Sequence, residues 1–281
     1  MTQAALRESE FTLTDRDFRE IVALVKRETA IVLGDHKRNL VYGRLARRLR
    51  ALGLEDFSDY VDYLKGPEGP SELREMMNAV TTNLTSFFRE PHHFETLERD
   101  VLPGWVKAQG QSGGRLRIWS AGCSSGEEPY SIAMTLAQCL PRGRAHDAKI
   151  LATDIDTQMV ATASAGLYAE DRVKGIPDRY MRAFVREAGD GRLEMADTLK
   201  ALITFKPLNL FDAWPMRGPF DVIFCRNVMI YFDKAGQAEL FEKFAQIMAP
   251  GGTLFIGHSE TLPAGNKHFT HAGRTTYRRQ S

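Results

Sequence analysis

One stretch of the chain combines residue types that could hold a small charged molecule: Ile118-Trp119-Ser120-Ala121-Gly122-Cys123-Ser124-Ser125-Gly126-Glu127-Glu128-Pro129-Tyr130-Ser131. It reads as the end of a strand, a turn of small residues, and the start of a helix. Glycine and serine in such a turn let a backbone approach a ligand closely. The spacing is G-x-x-x-G and departs from the dinucleotide pattern G-x-G-x-x-G. A tight strand-to-helix connection would need the same residues, so the glycines alone do not define a site.

The acidic pair narrows the choice. A dinucleotide seats its pyrophosphate on a helix N-terminus. Here Glu127 and Glu128 occupy that end, where two carboxylates would repel phosphate and compete for the same amides. They suit a ligand that carries positive charge and no phosphate, such as S-adenosylmethionine with its ammonium and sulfonium. Stabilisation of the helix dipole is the other use of such glutamates; one can serve that role while the other faces the ligand. Asp154 lies just past a second strand, where a carboxylate can accept hydrogen bonds from both ribose hydroxyls. Asp156 fits the N-cap of the helix that follows. Asn209 and Asn227 end two further strands; each could read an adenine edge or simply close a turn.

These residues require a scaffold that brings strand ends together. After about residue 112, short apolar runs alternate with helical patterns: strands over Leu116–Ala121, Lys149–Thr153, Phe220–Cys225 and Thr253–Ile256, with helices bearing Ile132, Ala133, Leu136 and Leu140, and later Leu240, Phe244, Ile247 and Met248. Such alternation predicts a mostly parallel sheet covered on both faces. Ala188-Gly189-Asp190-Gly191 breaks the alternation, and Asp-Gly is a hairpin signal, so a small antiparallel insertion is expected there. Before residue 112 the apolar spacing is helical throughout. Phe18, Ile21, Val22 and Val25 form one stripe, opened by Thr14 with Asp17 three residues on. Val41, Leu45, Leu49 and Leu52 form a second, stopped by Gly53, and Phe57, Tyr60, Val61 and Leu64 a third. A fourth helix is expected from Ser71 and a fifth from Pro91. Polar, Gly-rich Gln109–Gly114 reads as a linker. The expected domains are therefore an N-terminal helical domain over residues 11–110 and an α/β domain carrying the candidate site over 111–281, with the β insertion at 176–206.

Composition excludes several classes. A net charge of +1 gives no global attraction to nucleic acid or membrane. Met1–Glu10 lacks the apolar core of a signal peptide, and no apolar run reaches the ~18 residues of a span; the longest, Phe220–Phe232, is interrupted by Asp221, Arg226 and Asn227. The 3 cysteines contain no C-x-x-C pair, as in a reduced cytoplasmic protein. The 7 histidines show no ligand spacing, so no metal is expected. One local charge cluster stands out: Lys37, Arg38, Arg44, Arg47, Arg48 and Arg50 crowd one helix. Arg44, Arg47 and Arg48 share a face, which reads as a solvated surface or as a dock for an acidic partner.

At these residues the chain resembles the chemotaxis receptor glutamate methyltransferases, the CheR family, from about Phe18 to Tyr277. The resemblance rests on Thr81-Thr82-Asn83-Leu84-Thr85-Ser86-Phe87-Phe88-Arg89-Glu90, on Ser125-Gly126-Glu127-Glu128-Pro129-Tyr130-Ser131, on Asp154-Ile155-Asp156, on Phe224-Cys225-Arg226-Asn227-Val228-Met229-Ile230-Tyr231-Phe232, and on Gly257-His258-Ser259-Glu260. It implies a Rossmann-like, class I α/β methyltransferase domain with a helical N-terminal domain and a small β-subdomain. It implies S-adenosylmethionine contacts at Asn83, Thr85, Arg89, Glu128, Asp154, Asn209, Leu210, Asn227 and Val228, beside the Gly122 turn. It also implies a substrate: glutamate side chains in the cytoplasmic helical region of membrane chemoreceptors, converted to methyl esters with release of S-adenosylhomocysteine. In some relatives the insertion docks a receptor C-terminal peptide. Such chemistry needs no general base, because a solvated glutamate with a pKa of about 4.3 is already ionised at neutral pH. It needs alignment, and Arg89 and Tyr231 are the candidates to hold the carboxylate; packing or an ion pair is the alternative for each. The rival readings are a nucleic-acid methyltransferase, a non-enzymatic module that binds S-adenosylmethionine or receptors, and, more distantly, a nicotinamide-dependent oxidoreductase. Arg226-Asn227-Val228-Met229 lacks the proline pair of base-amine methyltransferases.

Overall fold

A computed structural model describes residues 10–109, 114–140 and 147–280. Most of the polar N-terminus and of the expected linker at Gln109–Gly114 lies outside the described residues. The chain forms two compact units, divided between Thr82 and Asn83.

The first unit holds helices α1 (Asp15–Thr29), α2 (Arg38–Leu52), α3 (Phe57–Lys65) and α4 (Gly69–Val80). Their starts and stops follow from local chemistry. The Thr14 hydroxyl accepts from the Asp17 N–H, and the Asp17 carboxylate accepts from the Thr14 N–H, which completes a capping box. Gly53 ends α2 in the left-handed conformation. The three stripes close into one core containing Phe18, Ile21, Val41, Leu45, Leu49, Phe57 and Tyr60.

Two of the three clustered arginines are used inside this unit. Arg48 grips the buried Glu72 with Nε at 2.9 Å and Nη2 at 2.6 Å, and Tyr60 donates to the same carboxylate at 2.8 Å. Arg44 donates to the carbonyls of Val80 and Thr81, each at 2.6 Å, at the end of α4. Arg47 projects into solvent. The shared face expected from i, i+3, i+4 spacing is thus divided, because Glu72 and the α4 carbonyls recruit its two outer members. Arg48→Met should lower the stability of the helical unit by about 3–5 kcal/mol, because Glu72 is left buried without its cation. Arg47→Glu should change it by less than about 0.5 kcal/mol. Thermal unfolding followed by circular dichroism checks both.

The second unit begins with α5 (His92–Thr96), a π-helical turn over Leu97–Val101 and α6 (Leu102–Gln109). Phe94, Leu97, Val101 and Leu102 pack with Leu116, Ile118, Ile132 and Phe224 of the α/β core. That packing places the division near residue 82, not at the expected 110. Then follow β1 (Arg115–Ala121), α7 (Glu127–Cys139), β2 (Asp147–Asp154), α8 (Thr157–Ala165), β3 (Leu167–Ala169), α9 (Asp178–Phe184), β4 (Val185–Gly189), β5 (Arg192–Met195), α10 (Asp197–Lys200), β6 (Ile203–Pro207), β7 (Phe220–Cys225), α11 (Lys234–Ile247), β8 (Met248–Ile256), β9 (Phe269–Gly273) and β10 (Thr276–Arg279).

Seven strands form one sheet in the order β6-β2-β1-β7-β8-β10-β9. The first five are parallel, and the β9–β10 hairpin completes the sheet antiparallel to β8. Sheet growth reverses between β1 and β7, the point where such folds open a crevice outside the strand ends. The small antiparallel sheet is present in the order β3-β5-β4, turned at Asp190-Gly191 with both residues at positive φ. Its limits differ from the expected 176–206. It begins at β3, which is three residues long and too short to show a period. The run over Ile203–Pro207 belongs to the large sheet, paired in parallel with β2.

Candidate active site

All the strand-end residues singled out in the sequence belong to the second unit. Gly122 follows β1 with φ +83°, and its backbone N–H donates to the Thr153 carbonyl at 2.8 Å. A Cβ there would lie 2.4 Å from Val228 Cγ2. Gly122 and Val228 therefore meet at the switch point, and the turn has room for no larger residue. Gly126 turns into α7 with φ +98°, where a Cβ would lie 2.8 Å from both Ala163 Cβ and the Tyr168 hydroxyl.

The two glutamates of α7 are both buried, and they separate. Glu127 accepts from the Ser125 hydroxyl at 2.7 Å and pairs with Arg172. Arg172 also donates to Ser125 Oγ at 3.0 Å, and Tyr168 donates to the Ser125 carbonyl at 2.7 Å. Glu127 thus fastens the turn to the segment after β3. Glu128 accepts from the Ser120 hydroxyl at 2.7 Å and from Arg226 Nη1 at 3.0 Å. Burial raises the Glu128 carboxyl above its usual range, and Arg226 and Ser120 oppose that rise.

Asp154 ends β2. Its Oδ2 accepts from the Ser124 N–H at 2.7 Å and its Oδ1 from the Asp156 N–H at 2.9 Å. Burial lifts its carboxyl to about 6 despite these bonds. Each oxygen keeps a lone pair for a further donor. Asp156 caps α8, accepting from Gln158 and Met159 N–H groups, and it accepts from Asn83 Nδ2 at 2.7 Å.

A second cluster lies where residues 83–90 meet the end of β7. Arg226, 6% exposed, reaches Glu128 with Nη1; its Nη2 lies 3.3 Å from Glu90 Oε2 and donates to the Arg89 carbonyl. Burial would raise the Glu90 carboxyl, but hydrogen bonds from His258 and the Arg226 charge hold it at about 2. Asn227, at φ +59°, donates its backbone N–H to the buried Glu260 at 3.0 Å, and the Ile230 and Gly257 N–H groups point at the same carboxylate. Glu90, His92 and His93 offer ligand atoms within 4.8 Å of one another. They do not suit a metal, because Arg226 already stands 3.3 Å from Glu90 and would repel a cation.

The other expected residues divide by their surroundings. Arg89 is half-buried, donates to the Leu84 carbonyl at 2.8 Å, and pairs with no carboxylate among the described residues. Thr85 and Val228 are half-buried and Leu210 is buried. The Asn209 side chain closes a turn, accepting from the Phe211 N–H and donating to Asp212, each at 3.1 Å. Tyr231 is half-buried on a 3-10 turn over Met229–Tyr231. Sequence reasoning assigned no role to Ser120, Glu90, Arg226 or Glu260. The signal for Arg226 was present as a charge interrupting the most apolar run of the chain.

The two units correspond to known domains. Residues 83–278 match the family model described as CheR methyltransferase, SAM binding domain, and residues 16–81 match CheR methyltransferase, all-alpha domain. The chain is 44% identical over 259 residues to a probable chemotaxis protein methyltransferase of Rhizobium etli, covering 91% of this chain and 96% of that one. It is 43% identical over 269 residues to the chemotaxis protein methyltransferase of Escherichia coli K12, covering 94% and 91%. A chemotaxis protein methyltransferase 2 of Pseudomonas aeruginosa is 41% identical over 272 residues, covering 95% and 94%. The chain belongs to the CheR methyltransferase family, and its second unit is the domain of that family that binds S-adenosylmethionine. The residues fit that cofactor: buried carboxylates at the start of α7 and the end of β2 suit its ammonium and ribose, and the Gly122 turn admits it closely.

Gly122→Ala should cut S-adenosylmethionine affinity by at least about tenfold, since the new methyl group must displace Val228 or bend a backbone held at positive φ. Calorimetric titration measures the loss, and an unchanged affinity would remove the turn from the site.

Proposed function

We propose that this enzyme transfers the methyl group of S-adenosylmethionine to glutamate side chains of chemotaxis receptors. The observation that carries the reading is the set of buried carboxylates, Glu128 and Asp154, at the switch point of a CheR-family domain. When bound, the cofactor supplies a methyl group on a sulfonium whose departure leaves neutral S-adenosylhomocysteine. Glu128 holds the ammonium and Asp154 the ribose hydroxyls. Asn83, Thr85, Leu210, Asn227 and Val228 line the remainder, and Asn209 contributes through the turn it closes.

The substrate carboxylate arrives ionised, so no side chain has to remove a proton. What the protein supplies is orientation, which can recover roughly 7–11 kcal/mol of barrier for well-aligned reactants. Arg89, which pairs with no carboxylate among the described residues, is the candidate to take the substrate carboxylate, and the Tyr231 hydroxyl is the second. The partner is the cytoplasmic helical region of a receptor, with Arg47 as the exposed cation of the basic helix. A receptor C-terminal peptide could add to an edge of the small sheet as an extra strand. The nucleic-acid alternative loses its main support, because Arg44 and Arg48 are occupied within the helical unit. Among the described residues no helix is long and apolar enough to cross a membrane, and the buried free thiols Cys123 and Cys225 suit a reducing cytoplasm.

Labelled methyl transfer to receptor cytoplasmic fragments tests the reaction. Label that mild base releases as methanol is expected; cofactor binding with no label on any fragment would sink the receptor assignment. The Asp154 carboxyl supplies a second check. It is ionised above about 6 in the free protein, so cofactor affinity should be present at pH 7.5 and fall as pH drops through that value. Asp154→Asn should bind more weakly and lack that step in a pH series of titrations.

A further inference from the structure

Arg226 is a buried guanidinium between the two halves of the chemistry. Nη1 meets Glu128 at 3.0 Å; Nη2 meets the Arg89 carbonyl and lies 3.3 Å from Glu90. The Phe94 ring lies 5.7 Å from its central carbon, and its Nε has no hydrogen-bond partner. Among the described residues, the polar groups that meet this guanidinium are at the fork, and they lie in two directions. One branch runs to α7 and the carboxylate assigned to the cofactor ammonium. The other runs to the backbone of the residue assigned to the substrate carboxylate. We infer that Arg226 is a positioning residue, one planar fork that sets the Glu128 carboxylate and the Arg89 main chain in a fixed relation. This rests on the roles given above to Glu128 and Arg89.

The charges around the fork support the assignment. Glu128 faces Arg226 and the Ser120 hydroxyl, with Glu90 as the neighbouring anion. Glu90 faces Arg226, His258 and Asn227. The thiols of Cys123 and Cys225 are kept protonated by burial. Arg226 is thus the cation shared by both glutamates, and without it Glu128 has only the Ser120 hydroxyl to support its charge in a buried position. A lysine offers a single nitrogen and cannot occupy both positions of the fork.

The test compares S-adenosylmethionine affinity of the wild type, Arg226→Met and Glu128→Gln between pH 6 and 8. The ratio of wild-type to variant affinity cancels titration of the ligand's own amine. For Arg226→Met the ratio should be largest at pH 6 and shrink by up to about tenfold per pH unit as Glu128 regains its charge. A ratio that stays constant with pH would mean that Arg226 acts through packing alone and overturns the inference. If Glu128→Gln binds like the wild type, the cofactor role of Glu128 fails first, and the inference with it. Should Arg226→Met not fold, Arg226→Lys decides: cofactor affinity within about threefold of wild type, an unchanged melting temperature and kcat at least about tenfold lower are expected. Wild-type kcat and KM in that variant would equally overturn it.

Discussion

The reversal of sheet growth between β1 and β7 is the constraint on which the site depends. Each of the five parallel strands leaves its last residue at the same edge, and the reversal stops the following connections from closing over that edge. Gly122, Asp154 and Asn227 come from parts of the chain separated by dozens of residues, yet they share one crevice because β2, β1 and β7 are neighbours in the sheet. The contact between Gly122 and Val228 fixes how closely the β1 and β7 connections approach.

Within that crevice the governing problem is charge without water. Glu127, Glu128, Asp154, Arg226 and Glu260 are all buried, and each is tolerated only because fixed donors or counter-charges meet it. The solutions differ. Glu260 is held by backbone N–H groups from three positions, which makes it a brace for the loop after β7. Glu127 is closed off by Arg172 and Ser125 and fixes the turn. Glu128 and Asp154 keep acceptor capacity while sitting beside the small-residue turn. Glu127 and Glu128 each meet one hydroxyl and one guanidinium, but Glu127 is tied to the segment after β3 and Glu128 to the end of β7.

Much of this was legible in the chain itself. Helical stripes, the capping box at Thr14, the Gly53 stop and the Asp190-Gly191 turn are local signals, and each appears where its spacing predicts. The strand-end carboxylates were readable because acidic residues beside a glycine turn contradict phosphate binding. Three things were not readable, for physical reasons. The boundary between the units was hidden because residues 92–109 are helical like the first unit but bury Phe94 and Leu97 against the second. The basic helix looked solvated because spacing places Arg44 and Arg48 on one face but does not reveal Glu72 or the α4 carbonyls as partners. Arg226 was visible only as an interruption, since pairing across 98 and 136 positions to Glu128 and Glu90 leaves no periodic trace.

The small sheet meets the rest of the domain unevenly. Its first strand and the segment after it are anchored by Tyr168 and Arg172 on the glycine turn, whereas a Cβ added at Gly189 or Gly191 near its tip would meet nothing within 4 Å. Sequence drift therefore has very different consequences along this one module. At the tip, an added side chain meets no neighbour, and only the positive φ of Gly189 and Gly191 limits which residues the turn accepts. At the base, the same change would be felt in the catalytic crevice. The tip of this module is therefore mechanically separate from the crevice, whereas its base is part of the crevice wall.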